Sequence, residues 1–172
     1  MRTSLVGLMF TLLAVPAWSQ TQQQSDWCYG ATSTDDQTIA GCNAVIQSSQ
    51  QSSANKAAAF TDRAFAEIDL GLFDQAIADA SRAIALDPTA ATAYHDRAAA
   101  YFHKGLYSQT VADDTRAIAH KPGYANAYYT RGTAYEKLGR RGPAADDYRA
   151  ALKFSPGMTI AQNALNALGS AK

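Results

Sequence analysis

The sequence predicts an all-α solenoid of helix-turn-helix repeats, with three full repeats, an N-terminal half-repeat helix and a C-terminal capping helix. Two observations carry this. Proline returns every 34 residues, at Pro88, Pro122 and Pro156, and a fixed period of that length marks a stack of like supersecondary units. The residues between the prolines recur with them. With each proline at position 32, the units begin at Ala57, Ala91 and Ala125. Position 4 is then aromatic (Phe60, Tyr94, Tyr128) and position 7 arginine (Arg63, Arg97, Arg131). Position 8 is small (Ala64, Ala98, Gly132) and position 15 is glycine (Gly71, Gly105, Gly139).

Taken in chain order, residues 1–19 read as a secretory signal peptide. Arg2 supplies a short positive region, Leu5 to Val15 an apolar stretch, and Ala17-Trp18-Ser19 a small-x-small cleavage site that leaves Gln20 as the new N-terminus. Cleavage after Ala17 is the next register. No later apolar run approaches the ~20 residues of a membrane helix, so no membrane insertion of the mature chain is expected. Charge is balanced at 15 against 15, and losing Arg2 leaves 14 against 15, about −1. That balance offers no basic footprint for nucleic acid. The expected location is periplasmic or secreted, in a bacterial envelope.

Residues 20–56 form a leading segment. Cys28 and Cys42 are an even count in a chain read as exported, which points to one structural disulfide. A redox pair would normally stand closer, as Cys-x-x-Cys. Asp36 to Ile46 aligns with Asp74 to Ile84 and reads as the second helix of a unit whose first helix is missing. Ile46 and Phe60 are 14 residues apart where Ile84 and Tyr94 are 10 apart, so the linker carries four extra residues. That linker, Gln47 to Asn55, is rich in Gln and Ser and is expected to fray.

The three units span 57–90, 91–124 and 125–158. In the first, one helix is predicted over Asn55 to Asp69 and a second over Phe73 to Leu86. The glycine at position 15 ends the first helix in the left-handed turn conformation, and the proline forbids continuation of the second. Small residues at positions 8, 20 (Ala76, Thr110, Ala144) and 27 (Ala83, Ala117, Ala151) let helices approach to ~8–10 Å. Ile77, Val111, Ile84, Ile118 and Leu152 supply the apolar seam. The aromatic stripe at positions 4 and 11 (Tyr101, Tyr135) reads as core rather than a cofactor box. In residues 159–172, Ile160, Ala161, Ala164, Leu165 and Leu168 fall at helical spacing with a polar back, as a capping helix needs. Gly169 onward is expected to be disordered.

Residues 57–156 resemble the tetratricopeptide repeat family, whose signature has an aromatic at 4, Leu-Gly at 7 and 8, Tyr at 11, Ala at 20, an aromatic at 24, Ala at 27 and Pro at 32. The resemblance implies a right-handed solenoid. It departs at position 7 (always Arg), position 11 (Glu67 in the first unit) and position 24 (Ala80, Asp114, Tyr148). Position 23 is always acidic: Asp79, Asp113 and Asp147. These pair with Arg63, Arg97 and Arg131 as a semi-buried ion-pair ladder, or the arginines form a ladder for an anionic ligand.

The resemblance further implies a concave groove lined by first-helix residues. Carried onto this chain, the candidates are Thr61, Asp62, Phe65, His95, Asp96, Phe102, Asn126, Tyr129, Thr133 and Glu136. Some family members grip a peptide's terminal carboxylate; here those positions hold Thr61, Phe65, Asp96, Asn126 and Thr130, and no such clamp is present. A neutral to basic peptide or protein segment with an apolar anchor fits better. The alternatives are a groove left empty or filled by the chain's own tail, and a structural component that self-associates. No Ser/His/Asp arrangement, phosphate loop or metal-ligand spacing occurs. His95 and His103 lie ~12 Å apart along one helix. The expected function is therefore a non-catalytic protein-protein interaction module, without cofactor or metal.

Overall fold

A computed structural model describes residues 17–30 and 32–170. The signal-peptide reading falls largely outside them; its last three residues begin the first helix. The order is α1 (Ala17–Tyr29), α2 (Asp35–Gln47), α3 (Ser53–Asp69), α4 (Phe73–Leu86), α5 (Ala91–His103), α6 (Tyr107–His120), α7 (Ala125–Lys137), α8 (Arg141–Phe154) and α9 (Thr159–Ser170). Each helix packs antiparallel-fashion on its chain neighbours, as short connections require. In addition α3 touches α5 and α5 touches α7, while no comparable contact joins α4 to α6. The first helices of the three pairs therefore form the inner face of the solenoid.

The repeating turn has a backbone cause. Gly71, Gly105 and Gly139 have φ of +75°, +74° and +73°. In the first unit the Gly71 N–H donates to the Ile68 carbonyl at 2.9 Å and the Leu72 N–H to the Glu67 carbonyl at 2.7 Å. The other two units repeat both bonds, with Gly105 to Phe102 and Leu106 to Tyr101 at 2.9 Å, and Gly139 to Glu136 at 2.9 Å and Arg140 to Tyr135 at 2.8 Å. This double closure is the Schellman motif, and it aims every second helix back along the first.

Alanines fill the contacts. Ala64, Ala76, Ala83, Ala98, Ala117, Ala144 and Ala151 are wholly buried, as is Thr110 at position 20 of the second unit. Its hydroxyl donates to a carbonyl of Leu106 or Ala98 at 3.2–3.3 Å, which satisfies the buried polar group.

The arginines of position 7 lock neighbouring helices. Arg97 meets Asp113 through two bonds, Nε to Oδ2 at 2.6 Å and Nη2 to Oδ1 at 2.9 Å. Arg131 meets Asp147 likewise, at 2.8 and 2.7 Å, and Arg63 donates to Asp79. Each guanidinium also reaches back one unit. Arg97 Nη1 donates to Ser81 Oγ and Arg131 Nη1 to Thr115 Oγ1, both at 3.0 Å. Arg63 Nη1 donates to Asn43 Oδ1. The sequence separations are 16, 16 and 20, so the four extra linker residues are absorbed and the register continues into α2. Position 4 rings lie under the same arginines, 5.5–5.8 Å from the guanidinium carbon. One side chain thus ties its own pair together and its pair to the one before.

Three features differ from the sequence reading. The half-repeat helix, α2, has a companion: α1 packs along it as a first helix packs on a second. The stretch Ala17–Tyr29 is mostly polar and carries no apolar stripe that a pattern would show. Close approach is permitted by Gly41, where a Cβ would lie 2.5 Å from the Gln24 carbonyl oxygen and 2.6 Å from the Cys28 nitrogen. Cys28 and Cys42 are paired across the same contact, with Cα atoms 4.6 Å apart. The Gln/Ser linker is shorter than expected, because Ser52 caps α3 by accepting from the Asn55 N–H at 3.1 Å. At the other end α9 continues through Gly169 to Ser170, beyond the expected start of the tail.

Candidate peptide-binding groove

Helices α3, α5 and α7 present side chains at each turn to the inner face, and these line two adjoining pockets. The central pocket, about 270 Å³, is lined by Thr61, Asp62, Phe65, Ile68, Thr92, His95, Asp96, Ala99, Tyr124 and Asn126. The second, about 220 Å³, is lined by Ala99, Phe102, His103, Tyr129, Thr130 and Thr133. They share Ala99. A third pocket of about 270 Å³ continues the face toward the N-terminus over Cys28, Tyr29, Ser33, Asp35 and Thr38, and shares Asp62 and Phe65 with the central one.

Of the residues predicted for the groove, Thr61, Asp62, Phe65, His95, Asp96 and Asn126 come together in the central pocket. Phe102, Tyr129 and Thr133 meet in the second. Glu136 lines neither; its Oε2 accepts the Tyr148 hydroxyl at 2.8 Å. Phe65 is 57% exposed, a large apolar side chain left outside the core. Tyr129 leans on Tyr148, ring centroids 5.8 Å apart.

Sequence reasoning missed Tyr124 and Asp114. Tyr124 precedes α7 in the inter-unit turn, outside the positions that a groove pattern covers. Asp114 is fully buried beneath the pocket, at the position where the third unit has Tyr148. A carboxylate at a core position is itself a signal, because a buried charge calls for a partner. Its partner is His95, whose Nδ1 lies 2.8 Å from Asp114 Oδ1.

The electrostatics of this floor follow from burial. Burial pushes Asp62 up to about 6. It pushes Asp96 to about 7, with Asp62 and Asp114 adding to the rise and His95 opposing it. Asp114 is raised to about 6 by burial, against the hydrogen bond and charge of His95. Burial pulls His95 the other way, yet the bond to Asp114 and the two carboxylate charges outweigh it, so the imidazole stands above its ordinary value. Tyr124 is raised by burial and by Asp96 and Asp114.

The other histidines are engaged elsewhere. His103 stacks on Phe73 at 4.8 Å and His120 on Tyr94 at 5.7 Å. Among the described residues no group of three His, Cys, Asp or Glu side chains is placed to hold a metal ion, and no helix is long and apolar enough to cross a membrane.

Comparison with known proteins agrees with this geometry. The family profile described as "TPR repeat" matches residues 66–105, and that described as "Tetratricopeptide repeat" matches residues 125–157. No curated protein matches the chain. Among solved structures, the TPR domain of Arabidopsis OM64 is 29% identical, with a TM-score of 0.68 over 70% of this chain and 100% of that one. The second TPR domain of human RPAP3, solved in complex with the HSP70 peptide SGPTIEEVD, is 31% identical. Its TM-score is 0.62 over 64% of this chain and 92% of that one. MamA shares the fold at 24% identity, with a TM-score of 0.71 over 88% of this chain and 81% of that one. The repeated helix pairs, the glycine turns and these matches agree: the chain belongs to the tetratricopeptide repeat family.

Proposed function

We propose that this protein is a non-catalytic interaction module that binds a segment of a partner protein along its inner face, in the periplasm or outside the cell. One observation carries the reading. The inner face is a run of three connected pockets whose lining includes a largely exposed phenylalanine, half-buried Phe102 and Tyr129, and hydroxyl and amide groups at intervals. Side chains of this kind anchor extended or helical segments. Relatives of similar fold were solved with peptides bound, among them the first TPR of Spaghetti (RPAP3) with the HSP90 peptide SRMEEVD. The exported location is supported by the leader-like residues 1–19 and by the pairing of Cys28 with Cys42, which an oxidising compartment maintains.

The reading is tested by capture from envelope extract. Phe65→Ala removes an exposed anchor with little effect on folding, and Tyr129→Ala removes one in the neighbouring pocket. Each is expected to weaken capture of the partner about tenfold or more. Undiminished capture by both variants would contradict the groove.

A further inference from the structure

The central pocket has an unusual charge balance. Asp96 is only 7% exposed and faces into the pocket, yet no donor among the described residues bonds to its carboxylate. Asp62, on the facing helix α3, is likewise without an ion-pair partner there. The nearest cationic group, His95, is already committed to Asp114 at 2.8 Å. Lys121 sits over the Tyr124 ring at 4.6 Å and pairs with neither carboxylate. The three ladder arginines are each bound to their own aspartate. A nearly buried carboxylate, Asp96, and a half-buried one, Asp62, therefore face one cavity with no ion-pair partner among the described residues, an arrangement that destabilises the empty protein.

We propose that the central pocket binds a cationic side chain, the guanidinium or ammonium of an arginine or lysine in the partner segment, held between Asp62 and Asp96. This rests on the groove reading and adds the chemistry of its specificity. The walls suit such a guest. Phe65, Ile68 and Ala99 border the aliphatic stem, and the exposed Phe65 ring presents a π face to a cation. Thr61, Thr92 and Asn126 offer further acceptors near the rim. A carboxylate-bearing guest would face Asp62 and Asp96, while His95, the cationic side chain that lines the pocket, is held by Asp114 at 2.8 Å.

The proton balance gives a second consequence. The groups facing Asp96 are Asp62 from α3, Asp114 from α6, Tyr124 ahead of α7 and His95 on its own helix. A bound cation favours the ionised carboxylates, so binding releases protons and affinity rises as pH increases from about 6 to 8.

The test uses three blocked pentapeptides, acetyl-Ala-Leu-X-Leu-Ala-amide, with X arginine, its neutral isostere citrulline, or glutamate. Titration into the full mature chain is followed by backbone amide shifts. The arginine peptide is expected to bind about tenfold tighter than the citrulline peptide, with shifts at Asp62 and Asp96, and the glutamate peptide not to bind at 1 mM. Asp96→Asn is expected to erase the arginine preference while the melting temperature holds or rises. A merely structural Asp96 would instead lower it. Equal binding of the arginine and citrulline peptides, no binding of either, or an arginine preference retained in Asp96→Asn overturns the cation pocket. If Phe65→Ala still abolishes partner capture, the groove stands and only the pocket assignment falls.

Discussion

At the residue scale, two of the residues that stand where this chain departs from its family's signature, Glu67 and Asp114, carry unusual chemistry. Glu67 occupies the place held by Tyr101 and Tyr135 in the next two units. It is 4% exposed, and its Oε2 is buried with no partner. Burial and the neighbouring Asp79 raise it to about 7, against the opposing charges of Arg63 and Arg82. Asp62, Asp96 and Asp114 are raised in the same sense. A carboxyl whose folded pKa exceeds its unfolded value holds a proton in the native state that the unfolded chain has lost. Stability therefore falls as pH rises from about 4.5 to about 7, by up to about 1.4 kcal/mol per such group for each pH unit. The raised imidazole of His95 acts in the same direction above its ordinary range. Thermal melts from pH 4.5 to 8 are expected to show this decline, and Glu67→Gln to make it shallower by one group's share and gain about 1 kcal/mol at pH 8. Stability that rises with pH over this window would contradict the assignment. The departures at positions 11 and 24 were visible in the sequence; their meaning was not, because a period shows which position differs and not what it touches.

At the element scale, the ladder of Arg63, Arg97 and Arg131 sets how one helix pair sits on the next. Asp113 is 6% exposed, so removing its arginine leaves a nearly buried carboxylate uncompensated. Arg97→Met is expected to lower stability by about 3 kcal/mol, and Arg97→Met with Asp113→Leu to recover most of it. Thermal unfolding of the three proteins reads both effects, and an unchanged Arg97→Met melt would defeat the buried ladder. The 16-residue spacing of these pairs was legible, as were α4 and the glycine turns, since local backbone chemistry dictates them. The reach of each arginine to the preceding pair was not, because it joins residues through stacking rather than along one helix. Helix α1 was hidden for a related reason. Its residues are polar, and its place comes from Gly41 and the Cys28–Cys42 pairing, both contributed in part by another element.

At the scale of the whole molecule, stacking four helix pairs under one capping helix leaves an inner face that the core does not consume. Nine of the ten residues assigned to the groove from the family pattern line two adjoining pockets on that face, because a solenoid's curvature converts position in the repeat directly into position on the surface. What the repeat could not indicate is the floor: Asp114 from a second helix, and Tyr124 from a turn. These two residues, with Asp62 and Asp96, turn a generic groove into one with a charge preference. The most direct test of the central claim is site-specific photo-crosslinking in intact native cells, with the photoreactive residue placed in turn at Ala99, shared by two pockets, and at exposed Gln109 on α6. A partner adduct from Ala99 and none from Gln109 is the predicted result. An adduct from Gln109 with none from Ala99, or one whose mass is twice that of the chain, would contradict it.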